Sequence, residues 1–257
     1  MTLSSSPPSV SLTRRARLHG MRRAWASRLG WVFVGLLLSI TGALVIAGLA
    51  LDRHRALFET DARIVHRLLS QQVVQHDAIL ATLALLQPGA EPAGEAAPEQ
   101  RLSALYPHIL SVQRRDRGMA WPDVALAQAE AASRQSRRAA LASVDLSSGR
   151  YLLVLAAEPM AYALTIDMRA MVPWSDWPMK PESSPVRVVL AHEGQSFVLQ
   201  PGSAALQNPP HSQPSAYGWR FDFSKHLAAD SQPFDVVATQ FFGWHQLPWL
   251  EIGRAHV

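Results

Sequence analysis

Apolar positions along the chain fall into three regimes. From Trp31 to Leu51 the residues WVFVGLLLSITGALVIAGLAL run without a charge, Asn, Gln or Pro. As a helix rising about 1.5 Å per residue, that stretch spans about 31 Å, the thickness of a bilayer core. Every backbone group of a helix is bonded internally, so such a segment can leave water whole. It reads as a transmembrane helix over residues 31–51, with Trp25 and Trp31 at its head-group end. The rival is a cleaved signal peptide, for which Gly48-Leu49-Ala50 offers a small-x-small site. A signal core of about 7 to 15 residues is shorter than this run.

The second regime is helical. Leu49 to Gln87 holds no Gly and no Pro, and apolar residues recur at Phe58, Val65, Leu68/Leu69, Val73, Ile79/Leu80, Leu83 and Leu86. The spacing predicts that the membrane helix continues as one rod. A paired helix and a helix facing a globular core fit this pattern equally. Gln87-Pro88-Gly89 stops it, and further helices are expected over Glu99 to Val112 and Asp123 to Leu141, the latter N-capped by Asp123.

The third regime has period two. Strands are expected in Ala142 to Glu158, folded about a Ser-Ser-Gly turn with Tyr151, Leu153 and Leu155 on one face, and in Ala163 to Val172. Arg187 to Gln200 reads as a hairpin around His192-Glu193-Gly194-Gln195, and Tyr217 to Ser224 and Phe234 to Phe242 as two more strands. Helices followed by about six antiparallel strands make an α+β domain, with the helices against one sheet.

Composition sharpens this picture. The 257 residues are 48% hydrophobic and only 17% charged, where a soluble domain is nearer a quarter charged. Cysteine is absent, which excludes disulfide scaffolds, thiolate metal sites and thiol nucleophiles. The net charge of +4 comes from the N-terminus, where residues 1–30 hold six arginines and no acid, leaving slightly more acids than bases afterwards. No basic, aromatic-interleaved patch for nucleic acid exists beyond that leader. Arginines ahead of the apolar run place the N-terminus in the cytoplasm and the main domain, residues 52–245, outside. Residues 1–30 read as a basic cytoplasmic tail, disordered at its Ser/Pro-rich start.

Recognisable catalytic chemistry is missing from the sequence. There is no GxSxG elbow, P-loop, GxGxxG or metal-spaced His pair, and His54, His66 and His76 do not share one helical face. His192-Glu193 reads as a turn. Asp145 and Asp167 lie at strand ends without a partner at fixed spacing. One cluster suits a small polar ligand: Asp167, Arg169, Trp174, Asp176 and Trp177 gather charge and aromatic surface within eleven residues. The same tryptophans equally suit a core edge.

The C-terminal residues Glu251 to Val257 (EIGRAHV) reverse-translate as GAG ATC GGA AGA GCA CAC GTC, which resembles a sequencing-library adapter read in frame. On that reading the natural chain departs after Leu250, where Trp244, Pro248 and Trp249 suit the start of a second transmembrane segment at 246–250.

The layout, with segments such as FETDARIVHRLLSQQVVQHDAILATLALLQ, MVPWSDWP and KHLAADSQPFDVVATQFFGWHQLPW, resembles the sensory half of bacterial membrane-bound sensor histidine kinases of two-component systems. The resemblance covers about residues 30–250. It implies an inner-membrane homodimer with a periplasmic Cache- or CHASE-like, PAS-like domain that binds an unidentified small-molecule ligand. The phospho-accepting helix and ATP-binding domain of that family are not in these residues. ATP, Mg and a cognate response regulator are therefore expected only for a kinase part outside this chain, which itself takes no cofactor. A similar outer domain could equally drive a chemoreceptor or diguanylate cyclase, or belong to a single-pass anchored binding or envelope-assembly protein.

Overall fold

The computed structural model describes residues 13–85, 98–116, 118–202 and 218–247. The tail before Thr13, the loop expected after the first helix, the second membrane segment beyond Leu247 and the adapter-like residues lie outside them. The chain divides into a unit of His54–Gln246 and a second unit formed by the residues before and after it.

The fold is mixed α+β. Helix α1 (Thr13–Leu85) is unbroken for 73 residues, as a stretch rich in Leu, Ala and Arg and free of Pro allows. It begins inside the segment expected to be a tail, so Thr13 to Gly30 is helical. Within the first unit its apolar run is uncovered: Trp31 is 77% exposed and Phe33 66%.

In the second unit α1 buries a single stripe made of Phe58, Ala62, Val65, Leu69, Val73, His76, Leu80 and Leu83. Steps of three and four keep these on one face. The core-facing alternative therefore holds for this stripe.

Where one sheet was expected, there are two, each antiparallel and four-stranded. After α2 (Pro98–Leu105), sheet A collects β1 (Ile109–Arg115), β2 (Ala140–Asp145), β3 (Arg150–Ala157) and β4 (Met160–Asp167) in the order β1-β4-β3-β2. Sheet B collects β5 (Arg187–His192), β6 (Gln195–Gln200), β7 (Gly218–His226) and β8 (Asp235–Gly243) in the order β6-β5-β8-β7. Two local hairpins are joined there by the long-range pairing of β5 with β8.

Several boundaries differ from the sequence reading. The helix expected to reach Val112 ends at Leu105, because Tyr106 precedes a proline and is biased away from the helical region. β-Branched Ile109 and Val112 then form β1. Helix α3 (Val124–Ser136) stops short of Leu141 at Arg137, which adopts a left-handed φ of 55°. Asp123 caps its start, accepting from the Ala125 N–H at 2.9 Å. β4 ends at Asp167 rather than Val172 because the Asp167 carboxylate folds the chain back, accepting from the Arg169 and Ala170 N–H groups.

Each sheet turns one face to α1. In sheet A, Tyr151, Leu153 and Ile166 on that face are fully buried. The other face carries α3, whose Leu126 and Ala129 pack on Val154 and Ala163. The same face holds the buried Glu130, which accepts from Arg115 Nε at 2.6 Å and Trp121 Nε1 at 2.6 Å and also pairs with Arg134. In sheet B, Phe221 meets Phe58 of α1 at 5.9 Å between ring centroids, and Phe242 meets His54 at 4.5 Å.

Candidate functional site

The five residues singled out from the sequence form a strap between the two sheets. Asp167 caps its own turn. Arg169 lies over the Phe197 ring, 5.6 Å from its centroid. Trp174 and Trp177 pack together at 5.5 Å, and Trp177 is buried with its indole N–H donating to Gln200 Oε1 at 2.8 Å. Asp176 is exposed on the turn that follows Pro173. Asp145 is likewise a turn cap: bonds from Ser147 and Ser148 hold its carboxyl down at about 2.

A polar cluster interrupts the apolar face of α1. Gln232, in the β7–β8 connection, donates through Nε2 to Val73 O at 2.9 Å, which fixes its amide orientation. Its Oε1 accepts the Tyr151 hydroxyl at 2.6 Å and lies 3.3 Å from His76 Nδ1. His76 Nδ1 also lies 3.0 Å from the Tyr151 hydroxyl, so both polar neighbours meet that nitrogen and neither meets Nε2. That Nε2, like the Nε2 of His108 beside it, is buried with no hydrogen-bond partner among the described residues. Asp77 accepts the Ser231 hydroxyl at 2.8 Å.

These groups shift as their surroundings require. Burial, and then the neighbouring His108, lower His76 to about 4. Burial lowers His108 too, and it pushes the Tyr151 phenol up. His76, His108 and Tyr151 are therefore neutral at pH 7.

Two open cavities lie elsewhere. One of about 470 Å³ separates β2 from the β5–β6 turn, lined by Ser143, His192, Glu193 and Gln195 among others. The second, of about 280 Å³, sits on the face of sheet B turned away from α1, lined by Arg187, Val189, Ser196, Arg220, Val237 and Thr239. Neither includes the sequence-predicted cluster. The lining of the second is assembled by pairing: Arg187 lies opposite Thr239, Val189 opposite Val237, and Asp222 opposite Thr239. Strand alternation alone puts Arg187 and Val189, or Arg220 and Asp222, on one face. Only the β5–β8 pairing brings the four strands together, and that was not readable from local sequence.

Among the described residues no group of three or more His, Asp or Glu side chains is placed to hold a metal ion. No protein-family profile, curated protein or solved structure matches the chain.

Proposed function

We propose that the chain is the signal-input part of a bacterial membrane sensor of the histidine-kinase type, with a PAS- or Cache-like outer domain. The N-terminus lies in the cytoplasm, residues 31–51 cross the inner membrane, and the two-sheet unit lies in the periplasm. The observation that carries this reading is the contrast along α1. Its Trp31–Leu51 stretch is apolar on all sides and uncovered, while the part after His54 is amphipathic and buries one stripe. A helix greasy all round needs either protein or lipid about it.

Signalling requires two states that a ligand distinguishes. A 100-fold preference for one of them biases the equilibrium by about 2.7 kcal/mol. A homodimer gives α1 a partner against which to move, and a seam is available: Leu57 is 55% exposed, Ile64 39%, and Leu68 half-buried. Steps of seven and four place these three on one line, away from the buried stripe.

The test is topological. A periplasm-active reporter fused after Gln246 should be active, and reversing the charges of Arg14, Arg15 and Arg17 to Glu should reduce its activity. A wild-type fusion that reports the cytoplasm overturns the proposal.

A further inference from the structure

Sheet B is polarised along its strands. Where β7 finishes and β8 begins, ionisable side chains collect: Lys225, His226, Asp230 and Asp235, with His192 and Glu193 of the β5–β6 turn beside them. The opposite end lies about 24 Å away, counting about 3.4 Å per residue from Trp219 to His226 of β7. That end is aromatic, and from Val236 to Leu247 the chain carries no Asp, Glu, Lys or Arg.

A row of rings crosses the aromatic end. His54 of α1 meets Phe242 at 4.5 Å between centroids, Phe242 meets Trp219 at 6.3 Å, and Trp219 stacks on Trp244 at 5.7 Å with the ring planes 17° apart. The row is buried at Phe242 and surfaces at Trp244, which is 51% exposed. Its support is firm. Gly218 lies so close to β8 that a Cβ there would collide with the Phe242 carbonyl. The short 3-10 turn Trp244–Gln246 is closed by the Gly243 N–H donating to Gln246 Oε1 at 3.2 Å.

We infer that this aromatic end of sheet B lies in the headgroup layer of the bilayer, with the stacked Trp219 and Trp244 as its contact. The row starts at His54, three residues after Leu51 closes the apolar run, which is about 4.5 Å of helix rise. A headgroup layer is about 5 to 8 Å thick on each side of the hydrocarbon, so the row begins inside it. The chemistry agrees: an indole is a flat apolar body with one N–H, matched to a layer that is greasy on one side and wet on the other. Bringing this end to lipid strips no formal charge of water, whereas the Lys225–Asp235 end would pay that penalty several times over. Area decides against a protein in the same place. Two indoles bury at most about 500 Å², short of the roughly 800 Å² per partner of a stable protein interface. A bilayer has no such minimum, because α1 already brings the unit to it. Sheet B is then held to the membrane surface twice, through α1 and through the stack, and tilting it against α1 has to drag the two indoles through the headgroups.

This inference rests on the membrane reading of residues 31–51, and one experiment separates the two. The full chain, labelled with 5-fluorotryptophan, is placed in nanodiscs with and without lipid carrying a nitroxide near the headgroup, and the fluorine resonances are assigned by single Trp→Phe substitutions. The Trp219 and Trp244 resonances should fall below half their height when the nitroxide lipid is present. Trp121, on the outer face of sheet A, should keep its height. Trp31, within the apolar run, reports the membrane reading by itself. Broadening of Trp31 with Trp219 and Trp244 left sharp overturns the inference and spares the membrane reading. Sharp Trp219 and Trp244 signals whose positions change with the number of chains per disc would place a second copy on the stack, and that also overturns it. A sharp Trp31 sinks both.

Discussion

His76 and His108 face each other with ring centroids 5.0 Å apart, and each keeps a buried Nε2 without a hydrogen-bond partner among the described residues. One belongs to α1 and the other leads into β1, so the pair joins the long helix to the edge of sheet A.

The first prediction concerns acid. His76 is depressed from 6.5 to about 4, so the unfolded chain takes up the proton first. The stability this neutral ring contributes is complete above about pH 6.5 and is lost as pH falls toward 4. From that shift alone, unfolding should be about 2 kcal/mol easier at pH 5 than at pH 7.5. Asp77, raised mainly by burial, acts in the opposite direction over the lower part of that range. Urea unfolding of the wild type and of His76→Gln at both pH values checks the prediction, the variant showing the flatter dependence.

Packing and pairing on α1 should separate at adjacent positions. Leu69 is fully buried and Leu68 only half-buried. Leu69→Asp places an unpaired carboxylate in the core and should cost several kcal/mol. Leu68→Asp should leave the thermal midpoint nearly unchanged while abolishing crosslinking between cysteines introduced at position 64.

Glu130 is the hinge of a buried ion cluster. Burial alone would raise its carboxyl, but the bonds from Arg115 and Trp121, with the charges of Arg115 and Arg134, hold it below the usual range. Its contribution is present at neutral pH and is lost as pH falls through that lowered value. Glu130→Gln leaves Arg115, whose side chain is 12% exposed, without its counter-charge. A loss of about 3 kcal/mol is expected in chemical unfolding, with α3 gaining hydrogen exchange before the strands do.

Gly149 turns the chain between β2 and β3 at φ 71°, and a Cβ there would lie 2.5 Å from the Phe197 ring of sheet B. Gly149→Ala combines a left-handed backbone with a clash against a buried ring. The expected cost is about 2 kcal/mol, measurable as a lower melting temperature with the helical content of α1 retained.

What could be read from local sequence was what local physics decides. Asp123 announced α3, Glu193-Gly194 announced a tight hairpin turn whose φ values of 48° and 80° are both left-handed, and alternation set Tyr151 and Leu153 on one face. The division into two sheets was not legible, because β5 and β8 are neighbours only after 42 intervening residues from His192 to Asp235 are folded away. The same long-range pairing made Arg187 and Arg220 neighbours of one cavity. Their charges looked like ordinary solvated strand positions, whereas Trp174 and Trp177 drew attention by being large. His76 did leave a trace: a histidine between Val73 and Leu80, in register with an apolar stripe, is a polar group due to be buried.

Gln232 has one amide, and each end of it grips something different: the carbonyl of Val73 on one side, the phenol of Tyr151 on the other. Turning the amide over would break both grips at once. A shift of α1 along its axis by one helical turn would therefore tear a clasp that also latches sheet A, so the helix, the sheet and the β7–β8 connection are geared to travel together or not at all.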